Sequence, residues 1–337
     1  FSLNLDYFSF LTGSRMTNNR FNSLFGGPPR LPETPFDKRH MDIAASIQFV
    51  INEAVSRLAI RAKEITGETR LCLAGGVALN CVANGILQRS GVFEDIWIQP
   101  AAGDAGGALG AALEVWNQSL SNKGINHAAS LTLPESTGDD MNGSLLGPEY
   151  NEKEICEALG SFDAVYLRFD EGELLDRVSE LLEDGKIVGW FQGRMEFGPR
   201  SLGNRSILGD PRLVSLQSSI NRKVKFRESF RPFAPAVLEE RSSEYFDLKG
   251  SSPYMLKVAN VAESQLKKVL DKEEEGFDRI KYERSTIPAV THVDGSARVQ
   301  TVNKDQNPLF WKLLKCFESK TNCGVLLNTS FNVRGEP

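Results

Sequence analysis

Between Met41 and Gly67 the apolar residues Ile43, Ile47, Val50, Ile51, Ala54 and Leu58 return at helical spacing, and Gly67 supplies a stop. Residues 71–74 form a short apolar run that predicts a strand. Gly75 and Gly76 turn it into a helix from about Leu79 to Gln88. A second strand is predicted over 96–98. Gly103, Asp104, Ala105, Gly106 and Gly107 then open an Ala-rich helix reaching Trp116. Strand, glycine turn and helix, repeated, describe an α/β layer with ligands at the strand C-termini. From Asn117 to about Tyr150 the chain turns rich in Ser, Asn, Gly and Asp, as a linker or crossover does. A second α/β pattern follows. Leu174, Leu175, Val178, Leu181 and Leu182 share one helix face, Gly185 ends that helix, and 187–191 is a strand. Residues 261–282 are highly charged, as in an exposed helix or an insertion. A helix over 311–317 and a buried strand over 324–327 lead into Asn328. The pattern divides the chain into 1–120, a crossover at 121–150, and 151–337; no internal repeat is visible.

Bulk properties narrow the class. The chain has 337 residues, 41% hydrophobic and 25% charged, as a soluble globular protein does. No uninterrupted apolar run reaches transmembrane length and no signal peptide opens the chain, so the expectation is cytoplasmic with no membrane partner. The five cysteines lack C-x-x-C pairing, against a disulfide framework or zinc ribbon. His40, His127 and His292 form no H-x-x-x-H pair. A net charge of -5 argues against non-specific nucleic-acid binding. The opening on Phe1 and the stop just after NTSFNVRGE read as a piece of a longer product.

One stretch runs against the overall acidity. From Arg194 to Arg231 there are nine basic residues (Arg194, Arg200, Arg205, Arg212, Arg222, Lys223, Lys225, Arg227, Arg231) and three acids (Glu196, Asp210, Glu228). Glycines and prolines mixed among them make turns, which gather backbone N–H groups and guanidinium forks around an anion. In GRMEFGPRSLGNRS at 193–206, Arg194, Arg200 and Arg205 are expected near one another, suited to bidentate phosphate or carboxylate contacts. A surface ion-pair network is the plainer reading, but local acids are few. In KVKFRESFRPFAP at 223–235, Lys225 and Arg227 alternate with Phe226, as on a strand with one charged and one buried face. Such a pair can hold an acyl phosphate or a triphosphate; a charge-protected edge strand is the alternative.

Four further strings carry candidate chemistry. LAGGVALN at 73–80 offers Gly75, Gly76 and Val77 to a nucleotide phosphate or sugar, with Asn80 as a hydrogen-bonding partner, or is simply a tight turn. In PAAGDAGGALGAA at 100–112, Asp104 either caps the helix or binds a metal. LLNTSFN at 326–332 places Ser330 and Asn332 after a buried strand, where they can bond a phosphate or a carbonyl. THVDGSARVQ at 291–300 reads as a hairpin around Asp294 and Gly295, with His292 and Arg298 facing a cleft or water.

Together with TGSRMTNNRFNSLFGGPPR near the start, these strings, in this order, resemble the NodU/CmcH family of O-carbamoyltransferases. The resemblance implies an α/β fold: part of an ASKHA (actin and sugar-kinase-like) domain over 1–120, then a YrdC-like α/β domain over 151–337. It implies that the YrdC-like domain combines carbamoyl phosphate with ATP and Mg2+ to give carbamoyl adenylate. The ASKHA-like domain then passes the carbamoyl group to a hydroxyl of a small molecule or glycan. K-x-R and S-x-N patterns correspond to Lys225 with Arg227 and Ser330 with Asn332, surrounded by Arg194, Arg200, Arg205 and Arg231. The nucleotide turn of the transfer domain corresponds to Gly75, Gly76, Val77 and Asn80. Its divalent metal (Fe, Mn or Zn) is held by two histidines and an aspartate, which Asp104 matches. No histidine here has the required spacing, so the chain is expected to lack a complete metal site and to be defective in transfer. Competing readings are a hydrogenase-maturation carbamoyltransferase, which would bring zinc-finger cysteine pairs, a sugar kinase, and a degenerate nucleotide-binding piece. The acceptor is not legible, and a homo-oligomer stays open.

Overall fold

The computed structural model describes residues 2–31, 34–122, 139, 141–268, 279–280 and 282–336. Its contacts group into two units: Phe1–Thr69 with Ile86–Glu94, and Arg70–Gly85 with Asp95–Pro337. The strand, the turn and the first half of the helix after Thr69 thus belong to the larger unit, and the rest of that helix to the smaller.

In the smaller unit, α1 (Asn19–Leu24) is capped by the Asn18 side chain, which accepts from the N–H groups of Arg20 and Phe21. Helix α2 (Lys38–Thr66) opens on a capping box between Asp37 and His40 and stops at Gly67, whose φ of 72° only glycine adopts cheaply. Ile47, Val50, Leu58 and Ile65 along it are exposed. By length and composition α2 is long and apolar enough to cross a membrane, although charged residues interrupt its apolar runs. The pairs Glu53–Arg57 and Arg61–Glu64 on it are those of a water-facing helix.

The larger unit begins with β1 (Arg70–Leu73) paired in parallel with β2 (Asp95–Ile98). Helix α3 (Cys81–Ser90) follows β1, and α4 (Asp104–Asn122) follows β2, running past the expected end at Trp116. Helices α5 (Glu152–Ser161) and α6 (Glu171–Glu183) each start on an Asn or Asp cap. Then come β3 (Val188–Phe191), β4 (Arg205–Gly209), α7 (Val214–Lys223), β5 (Ala234–Leu238), α8 (Ser242–Tyr245), β6 (Phe246–Asp247), β7 (Lys257–Val261), β8 (Ser296–Val302), α9 (Pro308–Thr321) and β9 (Val325–Ser330). They build one seven-stranded mixed sheet in the order β3-β4-β9-β5-β8-β7-β6, antiparallel except for β5 beside β8. The α/β class is as expected. Its core holds Leu182, Leu208, Ile220, Phe310, Phe317 and Leu326, all essentially without solvent contact.

One local expectation fails. Asp294 and Gly295 do turn the chain, with Gly295 N–H bonding the His292 carbonyl, but no hairpin forms. Strand β8 is taken up on both sides by β5 and β7, while 288–290 is a 3-10 turn. Half of the charged stretch 261–282 lies outside the described residues.

The first half of α3 is docked tightly on the sheet. Asn84, buried, donates to the carbonyls of Ala78 (2.8 Å) and Leu256 (2.9 Å). A Cβ on Gly85 would lie 2.2 Å from the Val258 carbonyl oxygen, so only glycine permits this approach.

Candidate functional site

The segment 225–227 is not a strand. Helix α7 ends at Lys223 with free carbonyls, and these capture the following N–H groups: Lys225 to Ile220 (2.9 Å) and Arg227 to Asn221 (2.9 Å). The chain curls back on the helix end, and Phe226 takes φ of 46°, a strained value for a bulky side chain. Phe226 is accordingly 57% exposed, not buried as alternation predicted. Its carbonyl accepts from Arg334 at 3.4 Å.

The curl drives the Lys225 side chain inward, where it is 4% exposed. Its ammonium donates to the Ser330 carbonyl, to Ser330 Oγ (3.2 Å), to the Asn332 carbonyl (2.8 Å) and to Asn332 Oδ1 (2.8 Å). Ser330 Oγ donates in turn to Asn332 Oδ1 at 2.5 Å. Two strings about a hundred residues apart therefore meet on one nitrogen. All the acceptors are neutral. Burial, and then the Arg227 charge, lower the Lys225 pKa to about 8, with Glu336 opposing.

Arg227 is held by Asn221, whose Oδ1 accepts from Nε at 2.7 Å, and its guanidinium lies over Phe233. Burial, and then the Arg231 charge, lower its pKa. Arg298 on β8 is lowered by burial first, then by the charges of Arg200 and Arg227. Arg200 donates to the Leu79 carbonyl at 3.2 Å, while its buried Nε has no partner. Arg298 thus senses Arg200 and Arg227 as like charges, and Lys225 senses Arg227. Among the described residues none of these four makes an ion pair. Such a set lowers its energy by taking an anion.

The remaining expected cations are placed otherwise. Arg194 pairs with Glu149 at 3.5 Å and Arg231 with Glu228 at 2.9 Å, both at the surface. Arg205 gives its N–H groups to the carbonyls of Gln192, Asn204, Pro148 and Gly193 and stacks over Phe191 at 3.5 Å. A distant acid for Arg194, a neighbouring acid for Arg231 and backbone carbonyls for Arg205 absorb these three. In the other half, Asn80 Oδ1 caps α3 by accepting from Ala83 N–H at 3.1 Å. Gly75 has φ of 93°, Val77 is exposed, and the space where Cβ atoms of Gly75 and Gly76 would lie is open. Asp104 is exposed at the first position of α4. Among the described residues no three His, Cys, Asp or Glu side chains converge.

A carbamoyltransferase N-terminus model matches residues 1–113 and a carbamoyltransferase C-terminus model matches 179–337. The chain belongs to the carbamoyltransferase family. Within that family it is 54% identical, over all its length, to the uncharacterised Synechocystis protein sll1178, covering 54% of it. It is 42% identical to the nodulation protein NolO of Bradyrhizobium diazoefficiens, over 90% of this chain and 50% of that one. It is 32% identical to the 3'-hydroxymethylcephem-O-carbamoyltransferase of Amycolatopsis lactamdurans, over 81% of this chain and 44% of that one. The chain spans about half the length of the curated relatives it matches.

In this carbamoyltransferase chain, three residues that sequence reasoning left out or left open support the site. Glu196, counted only as an interrupting acid, is buried, and one of its oxygens accepts from the N–H groups of Leu202 (2.7 Å), Asn204 (2.9 Å) and Arg205 (3.2 Å). It folds the arginine-rich loop around itself. Asn221, wholly buried, orients Arg227 while donating to the carbonyls of Ser229 and Arg231. Arg298 joins the cation cluster from β8. A lone acid in a cationic turn was a usable signal for Glu196; nothing local marked Asn221.

Proposed function

We propose that the larger unit activates a carbamoyl group as carbamoyl adenylate, and that the whole protein transfers it to an acceptor hydroxyl. The observation that carries this reading is the buried Lys225 ammonium, gripped by Ser330 and Asn332 with Arg227 nearby, and Arg298 close to Arg227 and Arg200, none of the four in an ion pair among the described residues. Carbamoyl phosphate and ATP are both polyanions, and bringing them together needs charge neutralisation and positioning more than a protein nucleophile. In balanced form, carbamoyl phosphate and water give carbamate and phosphate. A carbamate oxygen then attacks the α-phosphorus of ATP, and the bond to pyrophosphate breaks. In the transfer step the acceptor oxygen attacks the carbamoyl carbon, AMP leaves, and the hydroxyl proton is released.

In this reading Lys225, Arg227, Arg200 and Arg298 hold phosphate oxygens, with Mg2+ accompanying ATP as in other phosphoryl-transfer sites. Ser330 and Asn332 orient the carbamoyl group or the phosphates. The open Gly75–Gly76–Val77 turn meets the nucleotide in the transfer half, arranged as an ASKHA-like domain ahead of a YrdC-like one. Asp104 is a proposed ligand of the transfer metal; no step is derived through it. Both phosphorylated reactants are cytoplasmic metabolites, and that compartment is proposed with them.

The test is carbamoyl-phosphate-dependent ATP–pyrophosphate exchange by the 337-residue chain. Lys225→Ala or Arg227→Ala should lower exchange by roughly a hundredfold or more, as loss of one preorganised donor does elsewhere. Normal exchange in both variants sinks the assignment. Phosphorylated sugar as product would favour a kinase, and nucleotide binding without turnover a degenerate domain.

A further inference from the structure

Given the phosphate site proposed above, on which this rests, we infer that Glu336 is the protein ligand for the Mg2+ that accompanies the polyphosphate at Lys225.

The chain turns back on itself directly after the residues that hold Lys225. Gly335, at φ of 86°, makes the bend. The Asn332 amide donates to the Glu336 carbonyl at 2.9 Å, and the Val333 N–H donates to Glu336 Oε2 at 3.0 Å. The other end of that amide, Asn332 Oδ1, accepts from Lys225 at 2.8 Å. One side chain thus joins the ammonium to the turn. Arg334 ties the turn to the 225–227 curl a second time, through the Phe226 carbonyl at 3.4 Å. The Glu336 carboxylate is therefore held beside the pocket, and its charge is felt at Lys225.

The other acids of this neighbourhood are already engaged. Glu196 is buried and accepts from three N–H groups, Asp210 pairs with Arg212, and Glu228 pairs with Arg231. Glu336 is exposed and, among the described residues, forms no ion pair with Lys225 or any other cation. A carboxylate fixed near an ammonium without pairing with it repels a bare polyphosphate bound between them. A divalent cation reverses that sign, because ammonium, phosphate oxygen, Mg2+ and carboxylate then alternate in charge. Mg2+ keeps much of its water and takes one or two carboxylates together with substrate phosphates, so a single glutamate is a sufficient protein ligand. The Ser330 and Asn332 side-chain oxygens are turned to Lys225, which leaves Glu336 as the anionic oxygen donor at this end of the pocket.

The experiment is isothermal titration of the 337-residue chain with inorganic tripolyphosphate at neutral pH, once in excess Mg2+ and once in EDTA. Glu336→Gln keeps the shape and an acceptor for the Val333 N–H but removes the charge. In Mg2+ it should weaken binding roughly tenfold or more, as loss of even an outer-shell partner of a metal does. In EDTA it should strengthen binding by roughly two- to tenfold, because only the repulsion is lost. Circular dichroism and melting confirm that the variant is folded. An equal change in both media, in either direction or none, overturns the metal assignment and leaves the phosphate site standing. If wild type binds tripolyphosphate in neither medium, or Lys225→Met alters neither affinity, the phosphate site is lost and the Glu336 assignment with it.

Discussion

The protonation of Lys225 can be followed directly, because its surroundings move it into an accessible range. Its ordinary pKa of 10.5 falls to about 8 through burial and then the Arg227 charge. That difference is a penalty of up to ~3 kcal/mol on the charged form, reduced by whatever solvent still reaches the cluster. The sign is opposite to that of a stabilising ion pair. Below pH 8 the folded chain carries the charge and the full penalty. Between about pH 8 and 10.5 the unfolded chain binds more protons than the folded one, so this group's contribution to stability rises with pH. A bound polyphosphate supplies the missing negative charge and moves the pKa back upward. Tripolyphosphate binding at pH 9 should then draw close to one proton onto Lys225, and binding at pH 6.5 none. Affinity should fall close to tenfold per pH unit above 8, until the pKa of the bound state is reached. Titration calorimetry in two buffers of different ionisation enthalpy measures the uptake, and Lys225→Met removes the ligand's own protonation from the comparison. Equal uptake in wild type and Lys225→Met at pH 9 would refute the reasoning.

Asn221→Ala removes the acceptor of Arg227 Nε and two donors to backbone carbonyls in a fully buried position, so urea unfolding should show a loss of about 2 kcal/mol. Asn221→Asp, which keeps an acceptor for Arg227, should recover more ATP–pyrophosphate exchange than Asn221→Ala does; equal exchange in the two would deny Asn221 a positioning role. Glu196→Gln leaves three N–H groups facing a neutral oxygen, and about 1–3 kcal/mol of stability should go with the charge; an unfolding midpoint within error of wild type would contradict it. Gly85→Ala must push α3 off the Val258 carbonyl, 2.2 Å from the new Cβ, at about 1–3 kcal/mol, and hydrogen exchange of the Ala83 amide should speed up; unchanged exchange there would show that α3 docks without this approach.

Elements whose cause is local were legible from sequence. The apolar spacing and Gly67 stop of α2, the alternation of β1 and α3 around Gly75 and Gly76, and the run into β9 all follow from neighbours in the chain. The α/β class followed from their order. Where hydrogen bonding overrode the side-chain pattern, reading failed: residues 225–227 offered an apolar residue between two cations, the pattern of a strand, but the open end of α7 took their N–H groups first. Charge counting had the same limit. Arg194, Arg205 and Arg231 looked equivalent to Arg200 and Arg227 in a stretch with three acids. Glu149 across a loop, four carbonyls and Glu228 in the next turn separated them.

The amino-acid order alone determined which chemistry the chain carries: hydroxyl, amide and cationic groups in strings typical of one enzyme family. Only the tertiary structure decided which of those groups share a point in space. Lys225 meets Ser330 and Asn332 because α7 and β9 end beside each other in the sheet's packing. Arg205 becomes a buttress for Phe191 because its donors found carbonyls first. Electrostatic and hydrogen-bond energies depend on distance and burial, and neither is a property of position along the chain.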